Sequence, residues 1–253
     1  MTSPIKCKYC GKELPTQNFA PFGFKPMLIT LPCDCEMAQE EAKRNEYEIE
    51  QKERAEAFSA VWSRSDVPER FLHVNADFNK AKPLFDGKWL YIYGENGRGK
   101  TYAACQVAKA YLVHNTKRDV VPTLKGNKKG PMKCRVSFHF TEAQSLLSDI
   151  TSSWSRWDMN ESEVMARWVG VDLLILDDLG KGVPSEWAAE KLFEIVNKRW
   201  SNNKLTIITS QYGITELSER YRKAGGETLS AMISRLKGEC EEIPLMGKDR
   251  RLS

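Results

Sequence analysis

The sequence predicts an α/β protein whose main body is a parallel sheet wrapped by helices, preceded by a small cysteine-rich module and a helical linker. Three observations carry that prediction. Apolar strand-like runs alternate with amphipathic helix-like runs from Trp89 to Met246, the pattern of a parallel sheet. A glycine-rich loop ending in Lys-Thr joins the first such strand to the helix after it. Four of the seven cysteines fall within the first 35 residues, ahead of a long stretch free of Gly and Pro.

The bulk composition is that of an ordinary globular chain. With 253 residues, 41% hydrophobic and 28% charged, it can bury a substantial core. The longest apolar run, VGVDLLIL, is interrupted by Asp172 and falls short of the roughly 18 residues a membrane span needs. The start, MTSPIKCKYC, has no apolar signal segment. The expectation is a cytoplasmic protein with no membrane partner, where a reducing environment disfavours disulfides. A formal charge of +4 says little by itself about nucleic acid.

The elements follow in order. Residues 1–36 form the cysteine module, 37–64 the linker and 65–253 the main domain. From Glu36 to Phe58 the chain is rich in helix formers with interleaved charges, which predicts an exposed helix with too few apolar positions for a coiled coil. WLYIY (89–93) predicts the first strand, and Thr101 to Val113 a helix with Ala104, Val107, Ala108, Tyr111 and Leu112 on one face. TKRDVVPTLKGNKKGPMKCR (116–135) carries seven Lys or Arg against Asp119 alone and reads as a flexible basic loop. It is either a solvated insertion or a segment that tracks phosphates.

VSFHF (136–140) predicts the second strand of the main domain, followed by a helix whose capping box would pair Thr141 with Gln144 and whose stripe is Ala143, Leu146, Leu147 and Ile150. DLLILDD (172–178) predicts the third, followed by a helix with Ser185 as N-cap. LTIITS (205–210), the helical runs TELSERYRKA and TLSAMISRLKG, and the last strand ECEEIPLM complete the order.

GENGRGKT matches the pattern G-x-x-x-x-G-K-[ST] in its required setting, between an apolar strand and a helix. Gly94, Gly97 and Gly99 let backbone N–H groups converge on phosphate oxygens. Glu95, Asn96, Arg98 and Tyr102 complete the predicted ATP-binding set. Lys100 would reach the β- and γ-phosphates, and the Thr101 hydroxyl would hold Mg²⁺ at the helix N-terminus. LLILDDLG delivers two acids at a strand's C-terminal end, where open α/β sheets bind ligands. Asp177 is the candidate Mg²⁺ partner and Asp178 the candidate for polarising an attacking water. Arg235, which follows a helix and precedes the final strand, either completes a neighbouring subunit's site or pairs with Glu239 or Glu241.

Cys7, Cys10, Cys33 and Cys35 lie in CKYCG and CDC, separated by a spacer holding several prolines. Four thiolates can close a tetrahedral Zn²⁺ site, with Gly11 letting the first knuckle turn. So short a segment has little core, so metal would supply its folding energy. A closed site of this kind does no chemistry, which points to docking. Further along, Trp154, Arg156 and Trp157 combine flat rings with a guanidinium and are candidates for stacking on single-stranded DNA. Packing onto the sheet is the alternative for Trp154 and Trp157, and Trp168 is assigned to the core.

GENGRGKT, LLILDDLGKG, IITSQY and ISRLKGECEEIPL, in this order across residues 65–253, resemble the AAA+ ATPases of the DnaC/DnaI replicative helicase-loader and IstB transposition-ATPase group. The resemblance implies a five-stranded parallel sheet, ATP bound between subunits, and a homo-oligomeric ring or spiral. It makes Lys100 and Thr101 Walker A residues, Asp177 and Asp178 Walker B, and Arg235 an arginine finger acting in trans. It places SDVPERF near adenine and sensor 1 at Ser210 or Gln211, where such proteins usually carry Asn. Asp178 stands where many relatives have Glu, which implies slow hydrolysis stimulated by DNA or partner. The stop soon after the last strand implies no C-terminal helical lid.

Zinc modules ahead of such a core resemble those of DnaI-type and phage-encoded loaders, which grip the hexameric replicative helicase of the DnaB type. The function implied is ATP-dependent loading of that helicase onto single-stranded DNA at replication initiation. An IstB-like regulator of transposition is the alternative. A small-molecule kinase would use the same loop without Arg235, and a helicase inhibitor would keep the zinc module without ATP turnover.

Overall fold

The computed structural model describes residues 4–19, 25, 27–123, 126–155, 160–182, 185–224 and 227–247. The chain divides into two compact units, Met1–Glu53 and Arg54–Ser253.

In the first unit a bridge joins Lys6 to Glu13, and strand β1 (Thr16–Phe19) pairs antiparallel with β2 (Met27–Thr30). Nearly every residue of both strands is exposed. A two-stranded hairpin without an apolar face is at best marginally stable in water, so what holds this unit together lies elsewhere, in its cysteines. Helix α1 (Glu36–Trp62) leaves the unit as a polar rod and buries only Phe58 and Trp62.

The second unit begins with those last turns. Trp62 stacks on Phe138 with ring centroids 5.4 Å apart, and its Nε1 donates to the Leu72 carbonyl at 3.1 Å. A 3-10 turn at Glu69–Phe71 and the short helix α2 (Lys82–Phe85) follow. Strand β3 (Trp89–Tyr93) is buried along most of its length and leads into α3 (Lys100–His114). The expected single apolar face of α3 is broader in fact, because Ala103, Cys105 and Ala110 are buried too. Small residues let this helix approach the sheet closely.

The segment expected to be a flexible basic loop is instead an antiparallel ribbon. Strand β4 (Thr116–Thr123) pairs with β5 (Gly126–Cys134), with an irregularity between Arg118 and Val120. The extended pair is favoured by Thr116, Val120, Val121 and Thr123, whose branched side chains suit strands. Its base is tied down by the Thr116 hydroxyl, which donates to the Leu112 carbonyl at 2.8 Å, and by buried Met132.

Strand β6 (Phe138–Glu142) starts two residues later than the apolar run VSFHF indicates. Thr141 therefore sits inside the strand, and the expected capping box with Gln144 does not form. The N-cap of α4 (Ala143–Ser153) is Glu142 without a side-chain bond, while Gln144 donates to the Lys181 carbonyl. The apolar stripe of α4 is as expected, with Ala143, Leu146 and Ile150 buried. Helix α5 (Glu161–Gly170) carries a capping box between Asn160 and Glu163 and buries Trp168, which is a core residue.

Strand β7 (Leu173–Leu179), α6 (Glu186–Ser201) capped by Ser185, β8 (Leu205–Ser210), α7 (Ile214–Ala224), α8 (Glu227–Glu239) and β9 (Cys240–Pro244) close the chain order. The sheet is five-stranded, ordered β6-β7-β8-β3-β9, and every pairing is parallel. β3 lies between β8 and the edge strand β9, where the chain order switches, which puts the loop after β3 at a switch point on the sheet's C-terminal edge. Among the described residues no helix is long and apolar enough to cross a membrane.

The two faces of the sheet carry separate apolar clusters, one on α4–α8 and one on α1 and α3. Arg199 is embedded beside the first, 1% exposed. Its guanidinium donates to Thr206 Oγ1 at 3.0 Å and to the carbonyls of Trp168 at 2.7 Å and Val171 at 2.9 Å. A buried cation is tolerable here because carbonyl dipoles replace its hydration shell.

Candidate nucleotide site and thiolate cluster

The loop after β3 is shaped by close backbone approach. Gly94 has φ +151°, and a Cβ there would lie 2.5 Å from the Leu245 carbonyl oxygen. Leu245 follows β9 and donates its N–H to the Tyr93 carbonyl at 2.7 Å, so the last strand's exit clamps the start of the loop. Gly99 is the N-cap of α3. A 15-residue helix thus aims its unpaired N–H groups and positive dipole end into the loop.

A cleft of about 470 Å³ opens there. Its walls bring together Asn96, Gly97, Gly99, Lys100, Thr101 and Tyr102 from the loop and α3 with Asp177 and Asp178 from β7. Gly94, Glu95 and Arg98 shape the loop from outside the cleft wall, Arg98 paired with Glu95. Lys100 is largely buried and its Nζ donates to the Glu95 carbonyl at 3.0 Å. Arg70 and Phe71 of the 3-10 turn form the far wall, the guanidinium 4.6 Å above the ring centre. The segment matched to an adenine-side element therefore does border the cleft.

The acids owe their placement to an irregularity in the ladder. Leu176 pairs with Ile208 and Leu179 with Ser210, so Asp177 and Asp178 together oppose the single residue Thr209. Such a bulge re-aims side chains at a strand's end, and Asp178 takes the left-handed φ of 58°. Thr101 Oγ1 donates to both carboxylate oxygens of Asp177 at 3.0 Å. A hydroxyl and a carboxylate so close offer the oxygen ligands a Mg²⁺ ion takes. Burial holds the Asp177 carboxyl above its usual range, against the bonds from Thr209 and Thr101. Asp178 pairs with Lys181 at 3.3 Å.

Of the cleft residues absent from the predicted set, Thr209 and Glu142 lie beside the two acids. Thr209 donates to Asp177 Oδ1 at 2.6 Å and accepts the Asp178 N–H at 2.9 Å. Glu142, opposite Asp177 in register, adds a third carboxylate to the cleft. Thr209 is signalled by its place as the polar residue before Ser210 at a strand end; Glu142 has no motif. Ser210 itself is fully buried and donates to the Leu179 carbonyl at 2.6 Å, and Gln211 is exposed. Neither lines the cleft.

Arg235 is not among the residues lining its own chain's cleft. Its guanidinium stacks on Phe193 at 5.0 Å and Trp200 at 5.3 Å, with Nη1 donating to the Ala231 carbonyl at 3.3 Å. No ion pair to Glu239 or Glu241 occurs among the described residues, and Glu239 instead accepts from Trp200 Nε1 at 2.8 Å. Trp154 is 61% exposed, held edge-on to Trp187 at 5.3 Å and bonded through Nε1 to Glu161 at 2.9 Å. Arg156 and Trp157 lie outside the described residues.

In the first unit, Cys7, Cys10, Cys33 and Cys35 place four sulfurs within 4.8 Å of one another. Cys7 and Cys35 are 3.8 Å apart, Cys10 and Cys33 3.4 Å, and none is in a disulfide. A tetrahedron with metal–sulfur bonds of about 2.3 Å has edges of about 3.8 Å, so the donor set fits zinc. Amide N–H groups of Cys10 and Tyr9 aimed at the Cys7 sulfur hold that thiol down at about 6. The knuckle closes with the Gly11 N–H donating to the Cys7 carbonyl at 2.9 Å.

A parallel sheet with its phosphate loop after β3, paired acids on β7, the neighbouring strand but one, and a basic residue in the last helix define an ATP-binding domain of the AAA+ kind. Residues 130–253 match the family model described as IstB-like ATP binding protein. The fold is similar to that of a primosome component from Streptococcus pyogenes serotype M3, at 21% identity and TM-score 0.54, covering 76% of this chain and 98% of that one. It is similar also to the DnaC helicase loader, at 21% identity and TM-score 0.50, covering 71% and 100%. DnaI matches at 20% identity and TM-score 0.51, covering 72% and 96%.

Proposed function

We propose that this ATPase loads a hexameric replicative helicase of the DnaB type onto single-stranded DNA, in the cytoplasm, at replication initiation. The observation that carries this is the pairing of a thiolate cluster with an AAA+ ATP site whose fold is that of helicase loaders. Residues 1–36 act as a zinc-held docking module, 37–64 as the linker and 65–253 as the motor.

Lys100 and the loop amides hold the β- and γ-phosphates, and Arg70 with Phe71 flanks the base. Thr101 and Asp177 hold Mg²⁺, which neutralises charge on the phosphates. Asp178 polarises the water that attacks the γ-phosphorus as the bond to the β,γ-bridging oxygen breaks. Thr209, rather than Ser210 or Gln211, orients both acids. Arg235, presented by its aromatic neighbours, reaches the ATP of the adjacent subunit in a ring or spiral. The short Asp178, paired with Lys181, makes turnover slow until partner or DNA rearranges it. Trp154 offers its exposed face to single-stranded DNA, with Arg156 and Trp157 following it in sequence.

The match of residues 130–253 to an IstB-like model favours one second reading, a regulator of transposition with the same ATP cycle and a transposase as partner. Light scattering on a sizing column separates the two. Mixed with the host's hexameric helicase and ATP, the full chain gives a complex that the Cys7→Ser/Cys10→Ser chain does not. No complex under any nucleotide condition favours the transposition reading.

A further inference from the structure

The ribbon formed by β4 and β5 has no part in the ATP site. It is also where the chain concentrates its positive charge. Residues 116–135 hold seven Lys or Arg against one Asp, whereas the whole chain sums to +4, so the remainder is net negative. That alone describes a solvated insertion equally well, but the pairing register adds to it. Lys117 stands directly opposite Lys133, and Lys128 and Lys129 stand opposite Val121 and Val120. Like charges facing each other across a ribbon destabilise it, and no acid is interleaved with them toward the turn.

The single acid sits where the ribbon needs it. Asp119, at the irregularity between Arg118 and Val120, pairs with Arg135 at 2.6 Å and Lys133 at 3.2 Å. These two cations hold its carboxyl below the usual range. The trio still carries a net positive charge, and Lys117, Lys128 and Lys129 are exposed.

From this geometry we infer that the ribbon is a sequence-independent arm for duplex DNA, its lysines meeting backbone phosphates. A two-stranded ribbon has the width a major groove admits. Residues 116–135 contain no aromatic residue, so the ribbon lacks the rings with which single-strand binders stack unpaired bases. It therefore differs in kind from the Trp154 surface, and it stands apart from the loader reading because this chain and DNA alone suffice to test it.

The test is fluorescence anisotropy of the full chain with a labelled duplex and with one of its single strands, across about 50 to 200 mM salt. The Lys117→Gln/Lys128→Gln/Lys129→Gln chain is compared with wild type and with the charge-keeping triple Arg chain. Each lysine–phosphate pairing removed lowers the slope of log affinity against log salt by about 0.9. The expected result is a slope lower by about two to three and at least a tenfold weaker affinity for the duplex at low salt. The Arg chain binds normally, and ATP turnover without DNA is equal in all three, which shows that the Gln chain is folded. Unchanged slope and affinity in the Gln chain, or binding to the single strand alone, would overturn the inference.

Discussion

Thr209 Oγ1 donates to Asp177 at 2.6 Å and takes the Asp178 N–H at 2.9 Å, so one hydroxyl fixes both acids of the bulge. Thr209→Val keeps the shape and removes the hydroxyl. It leaves a buried carboxylate and a backbone donor short of a partner, a cost of about 1–3 kcal/mol. Turnover is expected to fall at least tenfold with ATP affinity changed only a fewfold, read by steady-state kinetics and nucleotide titration. An unchanged kcat would remove Thr209 from the site.

Asp178 and Glu142 both bring carboxylates to the cleft, and the proposed function gives the water to Asp178. Asp178→Asn should lower kcat by about a hundredfold or more without loss of ATP binding, while Glu142→Gln should change it far less. The reverse order would give the water to Glu142. Lys100→Ala should weaken nucleotide binding itself, seen by titration with a fluorescent ATP analogue.

Arg199 fastens α6 to β8 and to the segment before β7 through side-chain and carbonyl acceptors. Arg199→Leu strands those acceptors inside the protein, at about 3 kcal/mol or more, a drop of roughly 6–12 °C in Tm for a domain this size. Arg199→Lys should fail almost as badly, since an ammonium cannot span a forked set of acceptors. A melt unchanged by either substitution would contradict this role.

Chelation should act on one unit only. With metal removed, amide exchange protection in residues 4–19 and 27–35 should collapse while ATP still binds, because the unit's strands have almost no buried side chains and the thiolates supply its stability. Elemental analysis should give one zinc per chain. Retained protection after chelation would show that the unit folds by other means.

Asp172 supplies a pH dependence. Burial works against its ionised form, but Lys204 Nζ at 2.6 Å and the Ser137 amide and hydroxyl at 2.9 and 2.7 Å hold its carboxyl below the usual range. A depressed folded value means stability present above the unfolded value near 3.9 and lost as pH falls below it. The site is partly exposed, so Asp172→Asn should cost no more than about 1 kcal/mol at neutral pH. Denaturant melts of the two proteins should converge as the pH falls through the lowered folded value.

Much of this is legible in the sequence because the signals are local. The loop motif needs only spacing and flanking pattern, and both acids of LLILDD sit on an apolar strand that identifies itself. What the sequence cannot carry is register. The bulge that sets Asp177 and Asp178 against Thr209 depends on how two strands distant in the chain align, so the contact of Thr209 with both acids is not visible in the sequence. The same limit hides Glu142, which reaches the cleft only because β6 lies beside β7. The ribbon is hidden for another reason: Gly, Pro and Lys in 116–135 mask the branched residues that favour pairing. Arg235 is visible as a basic residue ahead of the last strand, but not its seat against Phe193 and Trp200, which lie on another helix.

The most direct test of helicase loading is the amount of hexameric helicase retained on a closed single-stranded DNA circle, which a ring can enter only by being opened. With this protein and ATP, retention should rise severalfold over helicase alone, and the Lys100→Ala chain should abolish the rise. Equal retention with and without the protein would contradict the proposed function.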